Sequence, residues 1–126
     1  MSILLSIIPP IARLFVDGDI EFYRKPLPIG KAYIYETKKF RGCGMVIGEV
    51  EIINGNYTDR SKFESAKRYD KPIPLSEFRV CKKIRKYHKQ GENFTEHLLH
   101  GGRIEVKQIT RPPRSWCYVE DLKGEK

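Results

Sequence analysis

Residues 18–36 constrain the fold more than any other stretch of the chain. Gly18 closes whatever precedes it. A short β-prone run follows, Ile20-Glu21-Phe22-Tyr23-Arg24-Lys25. The next segment, Pro26-Leu27-Pro28-Ile29-Gly30, cannot continue a strand, because each proline fixes φ and removes a ladder donor. A second aromatic run, Lys31-Ala32-Tyr33-Ile34-Tyr35-Glu36, then returns. The pattern predicts a hairpin-like unit. Strand periodicity puts Ile20, Phe22 and Arg24 on one face of its first arm, and Glu21 and Tyr23 on the other.

The remaining segments are also short and mostly β-prone. Residues 3–8 form a nearly continuous apolar run, expected as a buried strand, that stops at Pro9-Pro10. Two prolines suit the first turn of a helix, and Ile11, Leu14 and Phe15 recur at helical spacing until Asp17-Gly18. Residues 44–53 are the longest strand candidate. Val46, Val50 and Ile52 share a parity there, with Glu49 and Glu51 alternating against them. Residues 61–69 fit a helix by propensity but leave through an extended Pro72-Ile73-Pro74 exit. Residues 76–89 fit a helix with Ser76 as N-cap. Strands are expected again at 103–109 and 115–119, separated by the rigid corner Arg111-Pro112-Pro113-Arg114. The length of 126 residues suits one domain spanning 1–126.

Charge narrows the function classes. The formal net charge is +8 and the sequence pI is near 9.5. Between Cys81 and Arg114 there are nine Lys or Arg against three Glu, so a net +6 is concentrated there. Such a distribution favours an anionic partner, nucleic acid before an anionic membrane surface. A solvated helix face is the ordinary alternative for the cluster at 82–89. Hydrophobic content of 40% and mean hydropathy of −0.52 indicate a globular chain rather than a disordered one. No apolar run approaches membrane-spanning length. The apolar start lacks a basic leader and breaks at two prolines, unlike a signal peptide. Cys43, Cys81 and Cys117 are odd in number and form no C-x-x-C pair, which suggests a reducing, cytoplasmic setting. Cys81, His88, His97 and His100 match no common zinc spacing, so no metal or cofactor is expected.

The order of motifs resembles the ASCH domain family, within the PUA-like fold. The resemblance begins at Leu5-Ser6-Ile7-Ile8-Pro9-Pro10. It continues through Asp17-Gly18 to Glu21-Phe22-Tyr23-Arg24-Lys25, then Gly30-Lys31-Ala32-Tyr33-Ile34-Tyr35 and Val46-Ile47-Gly48-Glu49-Val50. It closes on residues 69–78 and on Arg111-Pro112-Pro113-Arg114-Ser115-Trp116-Cys117-Tyr118-Val119, its most specific piece. The resemblance implies an α+β fold: a PUA-like mixed β-barrel of about five to seven strands with flanking helices. It also implies RNA as a partner, single-stranded or carrying a modified base, with roles in RNA processing or translation. One branch of the family is an amidohydrolase acting on acetylated cytidine through a Lys, a Thr and a Glu; another member cleaves single-stranded RNA. This sequence departs from the signature. Counting back from Arg24, the family's glutamate falls at Phe22 and its lysine at Asp19, so Glu21 is one place out. No hydroxyl residue lies from Gly18 to Phe22.

The candidate site residues follow. Arg24, Lys25 and Lys31 are suited to phosphates, Tyr23 to stacking on a base, and Glu21 to accepting from an exocyclic amine. A solvated cross-strand ion pair from Glu21 to Arg24 or Lys25 is the alternative. Lys38, Lys39 and Arg41, then Lys82, Lys83, Arg85 and Lys86, and finally Arg111 and Arg114 are expected to track a nucleic-acid backbone. If the protein is an enzyme, Lys25 or Lys31 with Glu49 is the expected catalytic set.

Overall fold

A computed structural model describes residues 2–23, 27–54, 61–83 and 104–122. Strand β1 (Ser2–Ile7) is buried on both faces, as its unbroken apolar sequence requires. It runs parallel to β3 (Gly30–Glu36) on one side and antiparallel to β8 (Trp116–Val119) on the other. Parallel neighbours need a crossover. Helix α1 (Pro9–Val16) supplies it, with both prolines in its first turn. The helix ends where Asp17-Gly18 predicts. Gly18, at φ 81°, donates to Phe15, and Asp19 donates to Leu14, the paired bonds of a left-handed glycine cap.

Strand β4 (Met45–Asn54) pairs with β3 and with β5 (Ser61–Pro74), and β5 pairs with the two-residue β2 (Phe22–Tyr23). Strands β6 (Arg79–Lys83) and β7 (Ile104–Gln108) continue the sheet beyond β8. The order is β2-β5-β4-β3-β1-β8-β6-β7, a mixed sheet of eight strands. Among the described residues no pair joins β2 to β7, so the sheet is open where a closed barrel was expected. α1 is the single α-helix among the described residues, accompanied by short 3-10 turns at Lys39–Arg41 and Leu75–Glu77.

Three local expectations change. The first arm of the anticipated hairpin, β2, pairs with β5 rather than with β3, because β3 already has β1 and β4 on its two edges. Residues 61–74 are a long strand, since β4 offers an edge that outweighs helical propensity. Residues 79–83 are a strand rather than helix, paired with both β7 and β8. Residues 84–89 lie outside the described residues.

The two faces of the sheet carry two cores. Ile3, Leu5, Ile34, Val50, Ile52 and Phe63 pack with α1 on one side. Leu4, Tyr33, Tyr35, Val46, Phe78 and Val119 pack on the other. Phe78 is fully buried edge-on against Tyr33, with ring centroids 5.0 Å apart. A register shift between Val46 and Gly48 breaks the alternation of β4. Val46 therefore joins the second core while Ile47 and Val50 join the first. Gly48 occupies the tightest point. A Cβ there would come 2.3 Å from the Lys67 carbonyl oxygen and 2.6 Å from Val16 Cγ1. Gly48→Ala is expected to lower stability by about 1–3 kcal/mol through overpacking. Urea unfolding should show a lower midpoint with an unchanged slope; an unchanged midpoint would mean that β5 and α1 do not close on this position.

Candidate nucleic-acid interface and a carboxylate cluster

The end of β3 leads into a cavity whose lining includes Lys38, Lys39, Arg111 and Arg114. The β3 residue Glu36 is buried, accepting from Arg13 Nε at 2.8 Å and from the Cys43 backbone N–H at 2.8 Å. Burial alone raises the Glu36 pKa. The hydrogen bonds from Arg13 and Cys43, with the Arg13 charge, outweigh it and hold the carboxyl below its ordinary range. This ties α1 and the 38–44 loop to the end of β3. A depressed carboxylate stabilises the fold above its unfolded pKa, and that contribution is lost as pH falls through the folded value. Glu36→Gln is therefore expected to be less stable than wild type at pH 7, with the difference shrinking toward pH 3, as thermal midpoints across that range would show.

The corner 111–114 faces this loop. Ser6 at the end of β1 fixes it, donating from Oγ to the Pro113 carbonyl at 2.8 Å and from its N–H to the Ser115 carbonyl at 2.8 Å. Arg114 is thus set between two anchored carbonyls. Lys38, Lys39, Arg111 and Arg114 line one cavity of about 910 Å³, together with Tyr35 and Thr37. The Thr37 Oγ1 is buried with no hydrogen-bond partner among the described residues. Burial, with a smaller effect from Cys43, raises the Tyr35 pKa, so its phenol stays protonated and able to donate. Arg114, Ser6 and Ile8 also line a second cavity, of about 580 Å³, with Ile11, Phe22 and Tyr23. The two cavities meet along Arg114. The first carries the four cationic side chains, and the second adds the aromatic rings of Phe22 and Tyr23.

The structure separates the residues that the sequence clusters. Tyr23 lines the second cavity, and its ring also packs against Phe15 and Phe63 at centroid distances of 6.0 and 6.1 Å. Glu21 is exposed and lines a different cavity, with Lys62, Glu64 and Ser65. Lys31 sits at the opposite end of β3 from the cleft. Tyr35, the cleft-lining residue of β3, is four positions further along the strand, or roughly 13 Å away. Arg41 ends the 3-10 turn beside the cleft and is exposed. Lys82 and Lys83 lie on β6, with only their backbone described. Arg24, Lys25, Arg85 and Lys86 lie outside the described residues.

Lys31 belongs to a second constellation. Its Nζ is 3.5 Å from Glu49 Oε2 and 5.7 Å from the centre of the Tyr33 ring. The Tyr69 hydroxyl donates to Glu49 Oε1 at 2.9 Å. Glu49 pairs with Tyr33 across β3 and with Lys67 across β5, and Lys67 Nζ lies 5.9 Å from the Tyr69 ring centre. The Glu49 side chain is only 15% exposed. The β4 bulge puts it on the same face as Val46, where simple alternation puts it opposite. Tyr69 was not singled out by sequence, and its only signal was its place in the 69–78 motif.

The chain is similar to ASCH proteins of known structure. ASCH from Zymomonas mobilis and a serine-to-alanine variant of it each match at 16% identity, over 81% of this chain and 96% of that one, with a TM-score of 0.44. A tyrosine-to-phenylalanine variant matches at 18% identity, over 59% of this chain and 76% of that one, with a TM-score of 0.42. No family model and no curated protein matches. Among the described residues no helix is long and apolar enough to cross a membrane, and no group of His, Cys, Asp and Glu could hold a metal ion.

Proposed function

We propose that the protein binds RNA in the cleft between the 38–44 loop and the 111–114 corner. One observation carries this reading: Lys38, Lys39, Arg111 and Arg114 converge on a single concave surface that continues, through Arg114, into a cavity walled by Phe22 and Tyr23. Cations positioned on two separate loops suit a phosphate backbone, and the adjoining aromatic cavity suits a base. The reading is tested by titrating short single-stranded RNA and matched DNA across a range of salt, with wild type and a variant lacking the four cations. Tighter RNA binding that depends on those four positions supports it. Equal, weak binding to both polymers, unchanged in the variant, overturns it.

The Lys31–Glu49–Tyr69 cluster favours a second reading, hydrolysis of an N-acetylated cytidine. A shielded carboxylate beside an ammonium and a phenol has the parts such a reaction needs. Glu49 takes a proton from water, and the water oxygen bonds to the acetyl carbon. Lys31 or Tyr69 stabilises the oxyanion. The carbon–nitrogen bond then breaks, with the proton returned to the leaving amine, giving acetate and cytidine. Release of cytidine from acetylcytidine by wild type, and its loss in Glu49→Gln, is the expected result.

A further inference from the structure

The 38–44 loop displays a residue that neither the cleft nor the core accounts for. Phe40 is 75% exposed, the most exposed large hydrophobic side chain among the described residues. It adopts φ 51°, ψ 40°, and Arg41 follows at φ 62°. Two consecutive non-glycine residues in left-handed backbone are strained, and an aromatic there is rarer than asparagine or glycine. The ring gains nothing from burial in return. Lys38 and Lys39 precede it and Arg41 follows it, and the first two line the cationic cavity.

We propose that Phe40 is a base-stacking platform at the edge of this cleft. The inference rests on the RNA-binding reading and adds to it: the cations hold phosphates, and Phe40 receives an unpaired base from the same strand. A flat exposed ring among cations stacks on any base and takes no part in base identity, so it favours unpaired over duplex RNA without a strong sequence preference. An anionic membrane surface would also accept a phenylalanine among lysines. Lys38 and Lys39, next to Phe40 in the chain, line a concave cavity with Arg111 and Arg114, and a concave cationic surface fits a polymer strand better than a flat bilayer.

The test compares wild type, Phe40→Gly and Phe40→Trp. Glycine suits the backbone at position 40, so Phe40→Gly is expected to keep or raise the thermal midpoint. The probes are a single-stranded adenosine octamer, the same octamer without bases, the matched duplex, and phosphatidylserine vesicles. Phe40→Gly is expected to weaken octamer binding about five- to 150-fold and to leave binding of the abasic strand unchanged; Phe40→Trp should restore it. Equal octamer binding by wild type and Phe40→Gly overturns the platform while leaving RNA binding intact. Vesicle binding that falls in Phe40→Gly with octamer binding unchanged overturns it in favour of a membrane surface. Wild type that binds no RNA overturns the RNA reading and the platform with it.

Discussion

Replacing Lys38, Lys39, Arg111 and Arg114 together with alanine is expected to weaken single-stranded RNA binding of order 10²-fold near physiological salt. The figure takes roughly 0.7 kcal/mol for each exposed charge contact, within the range for such pairs. The salt dependence gives a sharper reading. Each phosphate contact on a single strand contributes about 0.7 to the slope of log affinity against log salt, so the slope should flatten by roughly 3 units. A control removes equal charge elsewhere through Lys62, Lys71, Arg79 and Lys107, all away from the cleft lining. The control should lose little affinity and keep the wild-type slope. If both variants fall equally, the +8 charge acts as a diffuse field and the cleft has no special role.

Glu49→Gln is expected to reduce acetylcytidine turnover by about 10²–10⁴-fold, the usual contribution of a positioned general base. Glutamine keeps the shape and can still accept from Tyr69, so stability should change little. It cannot take a proton from water. Because Glu49, Lys31 and Tyr69 are not among the residues that line the cleft, RNA binding should change little. The four-cation variant should conversely keep its turnover of a small nucleoside. A wild type that releases no cytidine, or a Glu49→Gln that releases it at the wild-type rate, removes the hydrolase reading. Lys31 and Tyr69 are then parts of a structural network that satisfies a shielded carboxylate.

Much of the site was readable as residue types and little of it as neighbours. Lys38, Lys39, Arg111 and Arg114 were each visible as cations beside turn-forming glycines or prolines. Their convergence was not visible, because it depends on Ser6 pinning the 113–115 backbone next to the end of β3. Tyr23 and Glu21 read as one side of one arm. With β2 paired to β5, Tyr23 lines the cavity that shares Arg114 with the cleft, and Glu21 lines a different one. Phe40 carried no distinguishing mark, since exposure and backbone strain are properties of the folded loop.

Sequence alone determined the elements whose physics is local. The apolar run before Pro9-Pro10 had to be a central strand, the two prolines had to open a helix, and Asp17-Gly18 had to close it. The strands at 45–54, 104–108 and 116–119 followed from alternation and punctuation. Only the tertiary structure decided what depends on competition for strand edges. It made β1 and β3 parallel neighbours and turned 61–74 into a strand. By inserting one residue at the Ile47-Gly48 bulge, it set Glu49 beside Lys31 and Tyr69. A period-two pattern fixes which residues share a face only while the ladder is regular, and one bulge reverses the assignment for everything beyond it.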